Sequence, residues 1–145
     1  MNNPAPFFQG MRRVLELRDR LIRGWSPALL CAALIFYLSS RPSSALPSPW
    51  FPHMDKFVHA LEYAVFSVLL FRALFWPVYS KFQKKDLRKG ALIVLLISSL
   101  YALSDEIHQI YVPGRAATFP DWMADFLGSG FAVALCLFLT YPRHR

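Results

Sequence analysis

The sequence predicts an all-α membrane protein: one domain over residues 1–145, built as a four-helix transmembrane bundle with both termini in the cytoplasm. Three observations predict it. Hydrophobic residues make up 55% of the chain and the mean hydropathy is positive, whereas soluble domains hold roughly 45–50% apolar residues. Four apolar runs come near the roughly 20 residues that a helix needs to cross a bilayer core about 30 Å thick. None of the runs alternates with the period of two that a barrel strand shows. Finally, the basic residues gather in segments that such a topology puts on one side.

Residues 1–24 form a basic leader. Its stretch MRRVLELRDRLIRGW sets Val14, Leu15, Leu17, Leu21 and Ile22 among arginines, so it reads equally as a membrane-surface helix and as a cytoplasmic extension of the first span. That span covers about residues 25–40 and is short, so its inner end reaches back through Leu21 and Ile22. A signal peptide is the competing reading, but Glu16 and Asp19 lie within a leader that is long for one. The connection SRPSSALPSPWFPHM carries four prolines and forms an irregular loop, with Trp50 and Phe51 at headgroup level.

The second span covers about residues 57–79, with Asp55 suited to its N-terminus. At about 100° per residue Asp55, His59, Glu62 and Phe66 fall within about 60° of one another, and Tyr63 lies beside them. Deeper in, the helix turns apolar. The basic connection SKFQKKDLRKG leads to a third span over about residues 90–110, where Ser98, Tyr101, Asp105 and Gln109 share a stripe and Glu106 lies next to it. A Pro-Gly turn and Arg115 follow, and Pro120 opens the fourth span, about residues 122–141. There Asp121 and Asp125 share a face with Gly128, and Ala124, Gly128 and Ala132 form a small-residue ridge that admits a close neighbour.

Orientation follows from charge. Arg12, Arg13, Arg18, Arg20 and Arg23 lie in the leader, Lys81, Lys84, Lys85, Arg88 and Lys89 in the second connection, and Arg143 and Arg145 in the tail. Arg72 snorkels to the same side, leaving Arg41, Lys56 and Arg115 opposite. The net charge of +7 is thus an orientation signal and does not point to nucleic acid. Cys31 and Cys136 fall in apolar runs and read as packing residues.

Of the nine acidic residues, six (Asp55, Glu62, Asp105, Glu106, Asp121, Asp125) belong on the outer side or outer leaflet, with Lys56, His59, His108, Gln109 and Arg115. Ionisable groups at membrane depth are costly and mark functional sites. Here they converge from three spans on one outward-facing polar pocket.

DKFVHALEYAVFSVLLFRAL followed by SDEIHQIYVPGRAATFPDWMADFLGSG resembles the VanZ-like family of small membrane proteins, named for a teicoplanin-resistance determinant. The likeness lies in a D-K-x-x-H start to the second helix and a D-E-x-x-Q…R…D-x-x-x-N/D-x-x-G pattern across the third and fourth, over about residues 55–130. It implies a four-helix plan, an envelope context and family positions at Asp55, Lys56, His59, Glu62, Asp105, Glu106, Gln109, Arg115, Asp121, Asp125 and Gly128. Asp125 stands where many members carry asparagine. No agreed reaction comes with the family, so the resemblance leaves open whether the chain is an enzyme.

The candidate catalytic residues are His59, Glu62, Asp105 and Glu106. Asp55, Lys56, Tyr63, Gln109, Arg115, Asp121 and Asp125 are candidate substrate contacts. In this scheme Arg115 and Lys56 clamp a phosphate or carboxylate, and His59, oriented by Asp55 or Glu62, moves a proton. No metal is assigned: His59 with Asp105, Glu106 and Asp125 would suit a divalent cation, but D-E-x-x-Q lacks the paired histidines of H-E-x-x-H. No cofactor is identified.

The expected surroundings are the lipid bilayer of the bacterial inner membrane and a lipid-linked or phosphate-bearing envelope substrate, with a link to envelope or glycopeptide tolerance. A non-enzymatic role stays open beside it, in which pairs such as Arg115 with Asp121 or His59 with Glu62 hold the bundle or an envelope partner docks there. A transporter is a third reading, which a homo-oligomer would make easier.

Overall fold

A computed structural model of the chain describes residues 6–75 and 83–140, and everything in it is helix or connection. Helices α1 (Pro6–Asp19) and α2 (Ser26–Ser39) are joined by a π-helical stretch, Arg20–Trp25. They are followed by α3 (Met54–Phe75), α4 (Lys84–Gln109) and α5 (Phe119–Thr140). Four helical segments, Gln9–Ser39, Met54–Phe75, Lys84–Gln109 and Phe119–Thr140, are long and apolar enough to cross a membrane. The four-span expectation is met, and the leader continues into the first span as helix. The expected ends of the second and fourth spans at Tyr79 and Tyr141, with Lys81, Arg143 and Arg145, lie outside the described residues.

Two helices begin earlier than their apolar runs, because hydropathy marks what lipid covers while hydrogen bonds mark where a helix starts. Gln83 and Asp86 form a reciprocal capping box, so α4 begins at Lys84 and carries its basic residues as helix. Gly90, expected at that boundary, sits inside α4 beneath the Phe75 ring, which leaves no room for a Cβ. At α5 the Asp121 N–H donates to Thr118 Oγ1 at 3.2 Å, and Pro120 falls in the first turn, where its missing N–H has no intrahelical partner to lose.

The apolar core runs along the bundle through Ala28, Ile35, Phe66, Leu70, Phe71, Val94, Ala102 and Val133. Leucines, valines and phenylalanines on the outer faces, such as Leu30, Leu92 and Phe131, remain exposed, as a lipid-facing surface requires. Within this core the hydroxyls of Ser67 and Ser98 meet at 2.8 Å, while the Tyr63 hydroxyl is buried without a hydrogen-bond partner among the described residues.

α5 packs most extensively on α3, and the expected small-residue ridge explains how. Gly128 lies directly on the Ala60 backbone, so that any Cβ there would run into the Ala60 carbonyl. At the next residue, Ser129 Oγ donates to the Tyr63 carbonyl at 3.4 Å. The α2–α3 and α4–α5 connections also meet: Gly114, with φ of 74°, abuts the Ser43 side chain, and Ser43 N–H donates to the Pro113 carbonyl at 3.3 Å.

Gly128→Ala is expected to destabilise the detergent-purified protein by about 1–3 kcal/mol despite the gain in helix propensity. Gly130→Ala, where a Cβ meets nothing within 4 Å, should be neutral or stabilising, and thermal unfolding of the two variants checks the contrast.

Candidate functional site

The C-terminal ends of α2 and α4 and the N-terminal ends of α3 and α5 meet at one end of the bundle, and the buried charge is concentrated there. His59, Asp105, Glu106, Gln109, Asp121 and Asp125 are all buried. Each sits within about two turns of a helix end, so a short polar layer caps a long apolar one.

Much of this layer is internally satisfied. Lys56 Nζ donates to Asp55 Oδ2 and Asp121 Oδ1, both at 2.8 Å, tying α3 to α5. Ser39 Oγ donates to Asp105 Oδ2 at 2.7 Å, and Gln109 Nε2 donates to the same oxygen at 3.2 Å, which ties α2 to α4. Glu106 Oε2 accepts the Thr118 N–H at 2.7 Å, and Thr118 Oγ1 donates to Asp121 Oδ2 at 2.7 Å. His59 Nδ1 lies 3.1 Å from Asp125 Oδ1 across the α3–α5 seam, a buried pair able to hold or pass a proton.

Beside this layer a cleft of about 560 Å³ opens between the end of α2, the proline-rich α2–α3 connection and the start of α3. Its walls are mostly apolar, from Leu38, Leu46, Phe51, Met54 and Val58, and Ser39, Asp55, His59, Glu62 and Arg115 supply polar groups. Neither Glu62 nor Arg115 makes an ion pair among the described residues, and Arg115 Nε is buried without a hydrogen-bond partner there. Buried guanidinium nitrogens are costly to leave unbonded.

The family model described as VanZ/LLP1 matches residues 25–140. The chain belongs to the VanZ-like family. The match begins at Trp25 and takes in every candidate site residue, leaving the basic leader outside it. No curated protein and no solved structure matches the chain.

Within the VanZ-like bundle the sequence-predicted residues separate into two groups. Asp55, His59, Glu62 and Arg115 line the cleft, and Lys56, Asp105, Glu106, Gln109, Asp121 and Asp125 do not, although His59 links the groups through Asp125. Several expected pairings are replaced. Asp121 takes Lys56 in place of Arg115, and His59 takes Asp125 in place of Asp55 or Glu62. Lys56, expected to clamp an anion with Arg115, already serves two carboxylates. Tyr63, next to the polar stripe by periodicity, points into the core, fully buried against Phe66 and Tyr101, and does not line the cleft.

Three participants escaped the sequence reading. Ser39 holds Asp105, Thr118 holds Glu106 and Asp121, and Ser40 Oγ lies 2.9 Å from Nε2 of His108. The His108 ring also tilts over Phe36 with centroids 4.6 Å apart. The serine pair closing an apolar run was the available signal, since a hydroxyl at membrane depth seeks a partner.

Ser39→Ala should lower stability by about 1–2 kcal/mol, because Asp105 keeps only its bond to Gln109. Ser104→Ala, on the exposed face of α4, serves as the near-neutral reference in the same thermal unfolding series.

Proposed function

We propose that the cleft receives an amphipathic, anionic envelope molecule at the outer face of the bacterial inner membrane, its apolar part along the leucine and proline wall and its phosphate or carboxylate at Arg115. The observation that carries this reading is the unpaired Arg115, whose buried Nε has no partner among the described residues and whose side chain lines a mostly apolar cleft. A guanidinium in this state is suited to bidentate capture of an oxyanion. With the basic leader and the α3–α4 connection on the cytoplasmic side, the cleft faces outward and both termini face in.

His59 supports processing as well as binding. It lines the cleft and is backed by Asp125, so a proton can be taken from or returned to a group bound near Glu62 and Arg115. The envelope setting, and with it a part in glycopeptide tolerance, comes from the VanZ-like membership. The bundle-holding alternative is supported where the polar groups satisfy one another: Lys56, Asp105, Gln109 and Asp121 join helices. Among the described residues Glu62 and Arg115 form no ion pair that joins helices.

Native mass spectrometry of the purified protein should show a retained anionic lipid in the wild type. Arg115→Ala should lose it, and Arg115→Lys should keep it with affinity lowered about 10-fold, since a single ammonium cannot reproduce the fork. Equal lipid retention in wild type and Arg115→Ala would refute the anion role. Where cells show an envelope or glycopeptide phenotype, His59→Ala and Arg115→Ala should both abolish it while the protein stays inserted and folded.

A further inference from the structure

We propose that His59, Glu106 and Asp125 form a binding site for a divalent transition-metal cation of the Zn²⁺ or Mn²⁺ kind, set behind the cleft wall. The three residues come from α3, α4 and α5, and one ligand atom from each lies within 4.8 Å of the others. Each is more than nine-tenths buried, at 7%, 4% and 1% exposure.

Charge proximity alone would not make this a site; the unmet hydrogen-bonding capacity does. Glu106 uses Oε2 to accept the Thr118 N–H, and its Oε1 is buried with no partner among the described residues. Asp125 uses Oδ1 toward His59, and its Oδ2 is in the same condition. Two buried carboxylate oxygens left unbonded in one place are expensive. The nearby cations do not relieve them, because Lys56 is held by Asp55 and Asp121, and Arg115 makes no ion pair with either carboxylate. A bound cation resolves both oxygens at once.

The donor set decides the class of ion. One imidazole nitrogen with two carboxylate oxygens suits Zn²⁺, Mn²⁺ or Fe²⁺, whereas Ca²⁺ and Mg²⁺ favour all-oxygen shells and Cu⁺ favours sulfur. Tetrahedral ligands about 2.1 Å from a metal sit about 3.4 Å apart, so carboxylate rotation of about 1 Å completes the contacts. The cation displaces the proton shared by His59 and Asp125, making binding proton-linked. Three protein ligands leave coordination open, and His59 already borders the cleft. The sequence grouped these three residues with Asp105 as a set that would suit a divalent cation, but each ligand comes from a different helix, so no spacing motif marks the site. The proposal stands on these three residues and does not need the lipid.

The test is a titration of the full-length, chelator-treated protein in detergent with Zn²⁺ and with Mn²⁺, read by metal content after desalting and by melting temperature. The expected result is about one equivalent of one ion per chain and a rise in melting temperature. Glu106→Gln and Asp125→Asn should each weaken binding by about 10-fold or more and lose the rise. Ser104→Ala, on the exposed face of α4 and away from the three ligands, should retain both. Absence of bound metal and of any thermal shift in the wild type would overturn the proposal and leave buried water as the partner of the two oxygens. Full binding in both Glu106→Gln and Asp125→Asn would overturn it as well, by placing the ion elsewhere. Lipid retention is read separately, so loss of one activity with survival of the other shows which reading fails.

Discussion

The close approach of α5 to α3 at Gly128 is the constraint on which the rest depends. With no side chain at that position, the Ala60 backbone lies against α5, and the turns immediately before it bring His59 and Asp125 within 3.1 Å. The same seam positions Lys56 against Asp121 two turns before Gly128. A bulkier residue would push the helices apart by more than a hydrogen bond can stretch. The polar end of this bundle is therefore held in place from its apolar middle.

That arrangement reconciles two demands that usually conflict in a bilayer. Ionisable groups must be shielded from hydrocarbon, and a site must keep some of them unsatisfied enough to bind. Here the work is divided between two sets of side chains. Asp105, Gln109, Asp121 and Lys56 are held by hydrogen bonds and ion pairs within the polar layer, while among the described residues Glu62 and Arg115 at the cleft make no ion pair. His59 belongs to both sets, lining the cleft and paired behind it with Asp125.

The fold was largely readable because a bilayer imposes a length and a polarity on each span, and four runs met both. Helix starts were less readable: the Gln83–Asp86 capping box carries α4 back through its lysines, which hydropathy had assigned to a connection. For the site, helical periodicity gave the correct face of α3 for His59 and Glu62 and of α4 for Asp105 and Gln109. It could not say which residue across the seam each would meet, since that depends on helix rotation and offset fixed by packing at Gly128. Hence Lys56, expected to clamp an anion with Arg115, is taken up by Asp55 and Asp121, Tyr63 turned out to be core, and the neutral hydroxyls of Ser39 and Thr118 were passed over beside so many charges.

In the proposed function the polar end of the bundle opens through the cleft to the outer face of the membrane. The most direct measurement is thiol labelling of Glu62→Cys, with Cys31 and Cys136 replaced by alanine, in sealed membrane vesicles of known orientation. A small membrane-impermeant reagent should modify residue 62 from the extracytoplasmic side and not from the cytoplasmic side. Modification only from the cytoplasmic side, or only after detergent, would contradict the account.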